Sequence, residues 1–311
     1  MTMGEKSEGS KYKRVMAVGY YMFCAILLTL SNKHLFHPRY GFGEPLLLAV
    51  SQLFCTLILL STFHTFGWLS LPVLNKNDAI KVLPLSLTYI FMLYSGLVAL
   101  GSTNLVMYNT LRRTGIFFVL GMQFVILGSK PSLEVIGSVC VLFLGTAIAA
   151  TTDLSFSFFG YTWVFLCNFA TALYIILIKH IKNESSLSAV DILYYNTIIS
   201  FPIVCIGFLW IVDTNHLDLA HMPTEFFGCF IFSSLLGFFI NHSIFVNTAE
   251  NSPLTQAVAG QAKDILLLAA SFFVDYVFEP RNFLGVLVGL FGSLIYAYVK
   301  YEESNTQASK E

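Results

Sequence analysis

Charge is what this sequence lacks. Of its 311 residues only 11% are Asp, Glu, Lys or Arg, while 56% are hydrophobic and the mean hydropathy is +0.72. A soluble domain carries roughly 25% charged residues, so too little charge is present to coat a water-facing surface. That excludes a soluble enzyme and a disordered chain. The formal net charge of -1 leaves nothing to hold a polyanion by bulk attraction, which excludes a nucleic-acid binder. The six cysteines (Cys24, Cys55, Cys140, Cys167, Cys205 and Cys229) all fall inside apolar runs, so neither a disulfide framework nor a metal site is indicated. There is no P-loop, no HExxH, no well-placed Ser/His/Asp set and no carboxylate pair inside an apolar run, so neither an enzyme nor a cofactor is expected.

What is present is apolar runs of membrane-spanning length. A spanning helix needs about 20 residues, and the runs bounded by charge, Pro or Gly clusters predict ten. The first five are Val15–Phe36, Glu44–Gly67, Val82–Gly101, Thr103–Gly128 and Ser132–Thr151. The second five are Ser157–Ile178, Asp191–Val212, Glu225–Thr248, Ser252–Tyr276 and Asn282–Lys300. Residues 1–14 and 301–311 are then short polar tails, with no cleavable signal before the first span. The partition places Lys6, Lys11, Lys13, Arg14, Lys76, Lys81, Lys130, Lys179, Lys182, Lys300 and Lys310 on one side. Only Arg39 and Arg281 fall on the other. By the positive-inside rule both termini are cytosolic.

Weak internal similarity suggests a repeat. Leu111-Arg112-Arg113 in span four aligns with Gln261-Ala262-Lys263 in span nine, Pro131 with Pro280, and Gly145 with Gly292. Residues 15–151 and 152–300 are then two copies of a five-helix unit. Five is odd, so the second copy enters from the opposite side. The expected fold is an all-α membrane protein of ten transmembrane helices in two inverted repeats, with a site near the midplane between them.

Arg112, Arg113 and Lys263 are expected at mid-depth, where a cation costs at least ~2.5–3.5 kcal/mol. Asp264, the single acid well inside a span, neighbours Lys263 in sequence and so faces elsewhere on a helix. The shortage of carboxylate suggests an anionic ligand; the competing reading is that these cations bond backbone carbonyls. Lys33, at the far end of span one, has the further option of snorkelling to the interface. On a continuous helix Asn109, Arg112 and Arg113 share a face, as do Gln256, Gly260 and Lys263. Tyr194-Tyr195-Asn196-Thr197 sets two aromatics beside an amide, a combination that serves ring stacking and base recognition or plain packing. In span eight Asn241, His242 and Asn247 are ligand contacts or interhelical hydrogen bonds. Gly285 and Gly289 form a small-xxx-small surface read as packing within the fold, with a homodimer contact as the alternative.

At these residues the chain resembles the nucleotide-sugar transporters, solute carrier family 35, of the drug/metabolite transporter superfamily. The carriers are Ser31-Asn32-Lys33, Thr110-Leu-Arg-Arg-Thr114, Asp153-Leu-Ser-Phe156 with Gly160-Tyr161, Leu193-Tyr-Tyr-Asn196 and Gly260-Gln-Ala-Lys-Asp264. The GDP-mannose branch has Phe-Tyr-Asn-Asn and Gly-Ala-Leu-Asn-Lys at the last two places, whereas this chain has Tyr194-Tyr195-Asn196-Thr197 and Ala259-Gly260-Gln261-Ala262-Lys263. The UDP-sugar branch is the nearer fit. The resemblance implies antiport of a cytosolic nucleotide sugar, a UDP-sugar in preference to a GDP-sugar, against lumenal nucleoside monophosphate. The membrane would be that of the Golgi, or alternatively the endoplasmic reticulum. Lys33, Asn109, Arg112, Arg113, Tyr194, Tyr195, Asn196, Gly260, Gln261 and Lys263 are the candidate substrate residues. Rival readings are a phosphate-ester or organic-anion exchanger of the same superfamily, a membrane-embedded transferase and a non-transporting scaffold.

Overall fold

The computed structural model describes residues 3–127, 131–212, 222–251 and 279–308, with residues 256, 259, 260, 262, 263, 266, 267 and 269 between the last two stretches. Among the described residues every long element is helical. The helices are α1 (Met3–Leu35), α2 (Pro45–Thr65), α3 (Lys76–Ser102), α4 (Leu105–Arg112), α5 (Gly115–Leu127), α6 (Leu133–Thr151), α7 (Phe158–Glu184), α8 (Ala189–Ile211), α9 (Thr224–Glu250) and α10 (Pro280–Ala308). Eight of them, all but α4 and α5, are long and apolar enough to cross a membrane. The span expected over 252–276 lies largely outside the described residues.

The outer surface confirms the environment. Leu209 and Trp210 are 72% and 88% exposed, and Phe54, Phe143 and Phe291 also face outward. A soluble protein does not display apolar surface on this scale; a lipid-facing bundle must. The chain is an integral membrane protein.

Helix starts follow the local sequence. Asn75, Asn104, Ser132, Ser157 and Ser188 each accept a backbone N–H of the first turn, at 2.7–3.3 Å. Such a cap is worth about 1 kcal/mol. Ser188 and Asp191 form a reciprocal capping box. The expected fourth span is instead two helices: α4 stops at Arg112 and α5 starts at Gly115.

Contacts between helix ends fix relative directions. Lys33 near the end of α1 reaches carbonyls at the end of α3. Arg39, just beyond α1, lies 3.6 Å from Glu225 at the start of α9. Asp153, between α6 and α7, accepts from Asn104 and Tyr161 at 3.3 and 2.7 Å, tying the same end together. At the other end Tyr195 holds the segment before α3, Lys179 near the end of α7 reaches the end of α9, and Asn251 reaches the Arg14 carbonyl on α1.

The tightest interface joins α6 and α10, antiparallel and backbone to backbone. A Cβ on Gly145 would sit 2.0 Å from the Gly289 nitrogen, one on Gly292 2.4 Å from the Leu142 nitrogen, and one on Gly285 2.3 Å from the Ala149 nitrogen. The small-xxx-small surface is therefore used inside the fold, with α6 covering it. Gly145→Val should destabilise the carrier by about 3 kcal/mol, because backbone cannot move aside for the new side chain. Gly137→Val, at a position with nothing within 4 Å, is the control. Equal thermal stability of the two variants in detergent would refute this reading of the interface.

Candidate functional site

A cavity of about 220 Å³ lies among α1, α3, α4, α5, α7 and α9, with Gln256, Gly260 and Lys263 completing its wall. On α1 it runs from Tyr21 to Asn32, about 16 Å at 1.5 Å per residue. Two cations border it, Arg112 and Lys263. The aromatic groups on its wall are Tyr21, Tyr89, Tyr108 and Tyr174.

The helix break positions Arg112. Its Nη1 donates to Asn168 Oδ1 at 2.9 Å, Thr171 Oγ1 at 3.1 Å and Cys167 Sγ at 3.2 Å, three uncharged groups on α7. The Asn168 amide serves both sides of the break, because its Nδ2 donates to the Leu111 carbonyl at 2.9 Å and to Thr114 Oγ1 at 3.1 Å. The Leu111 carbonyl also takes the Thr114 N–H at 3.1 Å and the Thr114 hydroxyl at 2.7 Å, so this amide joins the two sides of the break and holds the guanidinium at the cavity wall.

The two arginines point to different partners. Arg113, 1% exposed, turns from the cavity and donates to the Val286 carbonyl of α10 at 3.5 Å and to Thr110 Oγ1 at 3.3 Å. Arg113 keeps helical backbone angles, so its divergence from Arg112 is the roughly 100° between neighbouring residues of a helix, enough to send the two guanidinia to different partners. Asn109 is fully buried, and neither amide atom has a hydrogen-bond partner among the described residues.

The remaining candidates divide in the same way. Gly260 and Lys263 reach the cavity wall, whereas Gln261 lies outside the described residues. Lys33 bonds the carbonyls of Leu100 and Thr103, at 3.3 and 2.7 Å, and is not on the wall. Tyr195, 1% exposed, accepts the Asn75 N–H at 2.8 Å and donates to the Val73 carbonyl at 3.1 Å, clamping the start of α3. Tyr194 packs on the apolar core, and Asn196 is buried with its amide unpartnered among the described residues. None of Tyr194, Tyr195 and Asn196 borders the cavity.

Asn32 and Asn241, both singled out from the sequence, border it together with Gln52. Asn32 Oδ1 accepts from Gln52 Nε2 at 3.3 Å and from Ser233. Asn241 donates to Tyr89 Oη at 3.0 Å and the Gly237 carbonyl at 2.8 Å. Asn247 instead bonds Gln256, and His242 pairs with Tyr20 at 3.3 Å, so both are interhelical contacts. The available signal for Asn168 and Gln52 was a lone amide in an apolar run, which is too common in membrane helices to single out a partner.

A lipid-facing helical bundle around a cation-bordered cavity defines a membrane transporter whose interior favours an anion. The profile of the Triose-phosphate Transporter family matches residues 13–297, and the chain belongs to that family. Family and relatives are transporters, not enzymes. The chain is 32% identical over 308 residues to the UDP-sugar transporter sqv-7 of Caenorhabditis elegans, covering 96% of this chain and 92% of that one. It is 30% identical to the UDP-N-acetylglucosamine transporter UGNT1 of Arabidopsis thaliana, covering 90% and 86%. The GDP-mannose transporter 2 of Vanderwaltozyma polyspora is 23% identical, covering 95% and 96%. A crystal structure described only as a protein superposes with a TM-score of 0.64 at 10% identity, covering 91% of this chain and 99% of that one. This last likeness concerns the fold alone.

The Asn168 arrangement yields a test. Asn168→Leu should lower stability by about 3 kcal/mol, since it strips partners from a buried carbonyl and a guanidinium. Thr171→Val, which removes one of Arg112's acceptors, should cost about 1 kcal/mol. If melting temperatures in detergent rank the two variants the other way, the break is held by something else.

Proposed function

We propose that this protein is a nucleotide-sugar antiporter, exchanging a cytosolic UDP-sugar for lumenal nucleoside monophosphate across a secretory-pathway membrane, the Golgi in the first instance. The observation that carries the reading is the placement of Arg112 and Lys263, 151 positions apart in the chain, on the wall of one cavity. A nucleoside diphosphate sugar brings the negative charge that such a wall favours. Arg112 offers a planar fork to phosphate, and Lys263 a point charge. Gly260 leaves backbone accessible beside them. Tyr89 and Asn241 add an aromatic face and an amide for the nucleoside or sugar. The buried amides of Asn109 and Asn196 would meet cargo once the cavity widens toward them.

Ten spans in two inverted repeats, with cytosolic termini, complete the reading. Its support lies in the sequence alignment of the two halves, in which Pro131 meets Pro280 at a shift of 149 residues and Gly145 meets Gly292 at a shift of 147. The basic residues Lys13, Arg14, Lys76, Lys81, Lys179 and Lys182 gather at the end where α1 starts, in keeping with a cytosolic face there. A UDP-sugar is preferred because relatives named for UDP-sugars reach 32% and 30% identity, against 23% for the one named for GDP-mannose. A second reading, exchange of smaller phosphate esters or organic anions, draws on the family's description and on Tyr194, Tyr195 and Asn196 lying off the cavity wall.

Counterflow in proteoliposomes separates these. Vesicles preloaded with UMP should accumulate labelled UDP-sugars faster than vesicles preloaded with GMP accumulate any nucleotide sugar. Exchange of triose phosphate with no nucleotide exchange would favour the second reading. Lys263→Ala should weaken UMP binding by about 2–5 kcal/mol, the range for truncating one partner of a buried charge pair, and slow exchange at least about tenfold. Lys81→Ala, at an exposed ion pair with Asp78, should leave exchange unchanged. Undiminished UMP exchange by Lys263→Ala would remove this lysine from the site.

A further inference from the structure

Two lysines at opposite ends of the bundle make the same contact. Lys33, near the end of α1, donates to the carbonyls of Leu100 and Thr103 at the end of α3, at 3.3 and 2.7 Å. Lys179, near the end of α7, donates to the carbonyls of Ala249 and Asn251 at the end of α9, at 3.4 and 2.9 Å. In each case an ammonium covers orphan carbonyls at the negative end of a helix dipole. The shifts from residue 33 to 179, 100 to 249 and 103 to 251 are 146, 149 and 148 residues, close to the 150, 149 and 147 that align Arg113 with Lys263, Pro131 with Pro280 and Gly145 with Gly292. This is one contact made twice, once in each half of the chain.

The helices so joined enclose the cavity. Asn32 precedes Lys33 and lines it, Leu100 both lines it and accepts from Lys33, and α7 and α9 contribute Asn168 and Asn241. With both caps made, the cavity of about 220 Å³ is below the roughly 300 Å³ at which small-molecule pockets begin, so a nucleotide-sized cargo needs it wider.

We propose that Lys33 and Lys179 are positioning residues for transport, two alternating locks of which each half-cycle releases one. This rests on the antiport reading above, with the cavity opening to one face of the membrane at a time. Each open state forgoes one cap and keeps its equivalent, so the two open states differ little in energy. A lysine suits the task because its ammonium can cap helix-end carbonyls and, on release, its long stem lets it reach the interfacial water.

The test uses Cys167, which borders the cavity, as a reporter, with Cys24, Cys55, Cys140, Cys205 and Cys229 replaced by Ser. A membrane-impermeant thiol reagent is applied to either face of oriented proteoliposomes. Lys33→Met should raise Cys167 modification from the face where α1 ends by about tenfold, the worth of a hydrogen bond to a charged group. Lys179→Met should do so from the opposite face, and the double variant should restore the parent's balance, since distant sites add. A structural role alone would not move accessibility in opposite directions. Lys33→Gln and Lys179→Gln, which keep a donor, should give the same two directions more weakly, and they stand in where a Met variant does not fold. Shifts toward the same face, or none in folded carriers, overturn the proposal. Protection of Cys167 by UMP in the parent is read separately. If UMP protects but the lysine variants do not shift, the locks fail alone. If no nucleotide protects, the nucleotide-exchange reading fails.

Discussion

In hydrocarbon a backbone carbonyl has no water to turn to, and each one left unpaired costs several kcal/mol. Much of this structure follows from meeting that demand where helices stop. Lys33 and Lys179 cover the ends of α3 and α9. Asn104 serves twice: its side-chain oxygen caps α4 and its amide joins Asp153 of the α6–α7 connection. Asn282 donates to the Ala149 carbonyl at 2.7 Å, closing the last turn of α6. At the interruption after Arg112 the Leu111 carbonyl is met by the Thr114 N–H and hydroxyl as well as by Asn168. The same Asn168 accepts from Arg112, so one polar neighbour ties the break to the cavity's guanidinium.

Glycines determine which parts can move. At α6–α10 backbone meets backbone, and a single methyl group would collide with a peptide nitrogen. Such a seam has no slack and behaves as one body. Around the cavity the contacts are of another kind, through side chains such as Gln52 with Ser233 and Asn241 with Tyr89. Side-chain hydrogen bonds exchange partners at small cost. The helix pair α6–α10 is thus suited to act as a fixed frame against which the cavity-lining helices rearrange.

How much of this was legible depended on the distance between partners along the chain. The spans were readable because their information is local: apolar length, a capping Asn or Ser, a Pro at the start. Gly145 and Gly292, paired by sequence similarity, both lie in the tight α6–α10 seam. The break after Arg112 was not readable, because the residues Leu-Arg-Arg-Thr carry no breaker except the following Gly115, and their anchor, Asn168, lies 56 positions away. The arginines show the same limit, since their partners Asn168 and Val286 lie 56 and 173 positions away. Tyr195 shows the converse. Its aromatic ring beside an amide read as a recognition pair, yet its hydroxyl clamps a loop 120 positions earlier. Local sequence identifies a polar group that needs a partner; it does not say whether that partner is protein or ligand.

The separation of Arg112 from Arg113 also bears on why exchange rather than leak suits such a cavity. Arg113 is spent on α10, where its partners belong to the rigid seam. Arg112 and Lys263 face the space in which cargo would sit. Charges in a low-dielectric wall are stabilised by an occupant of opposite sign, and an occupant that leaves must be replaced before the helices around the cavity can close over it without that loss. A carrier built this way reorients most readily when loaded. Loaded in both directions is what antiport means, so the exchange proposed above would need no coupling device beyond Arg112, Lys263 and a cavity that closes around its occupant.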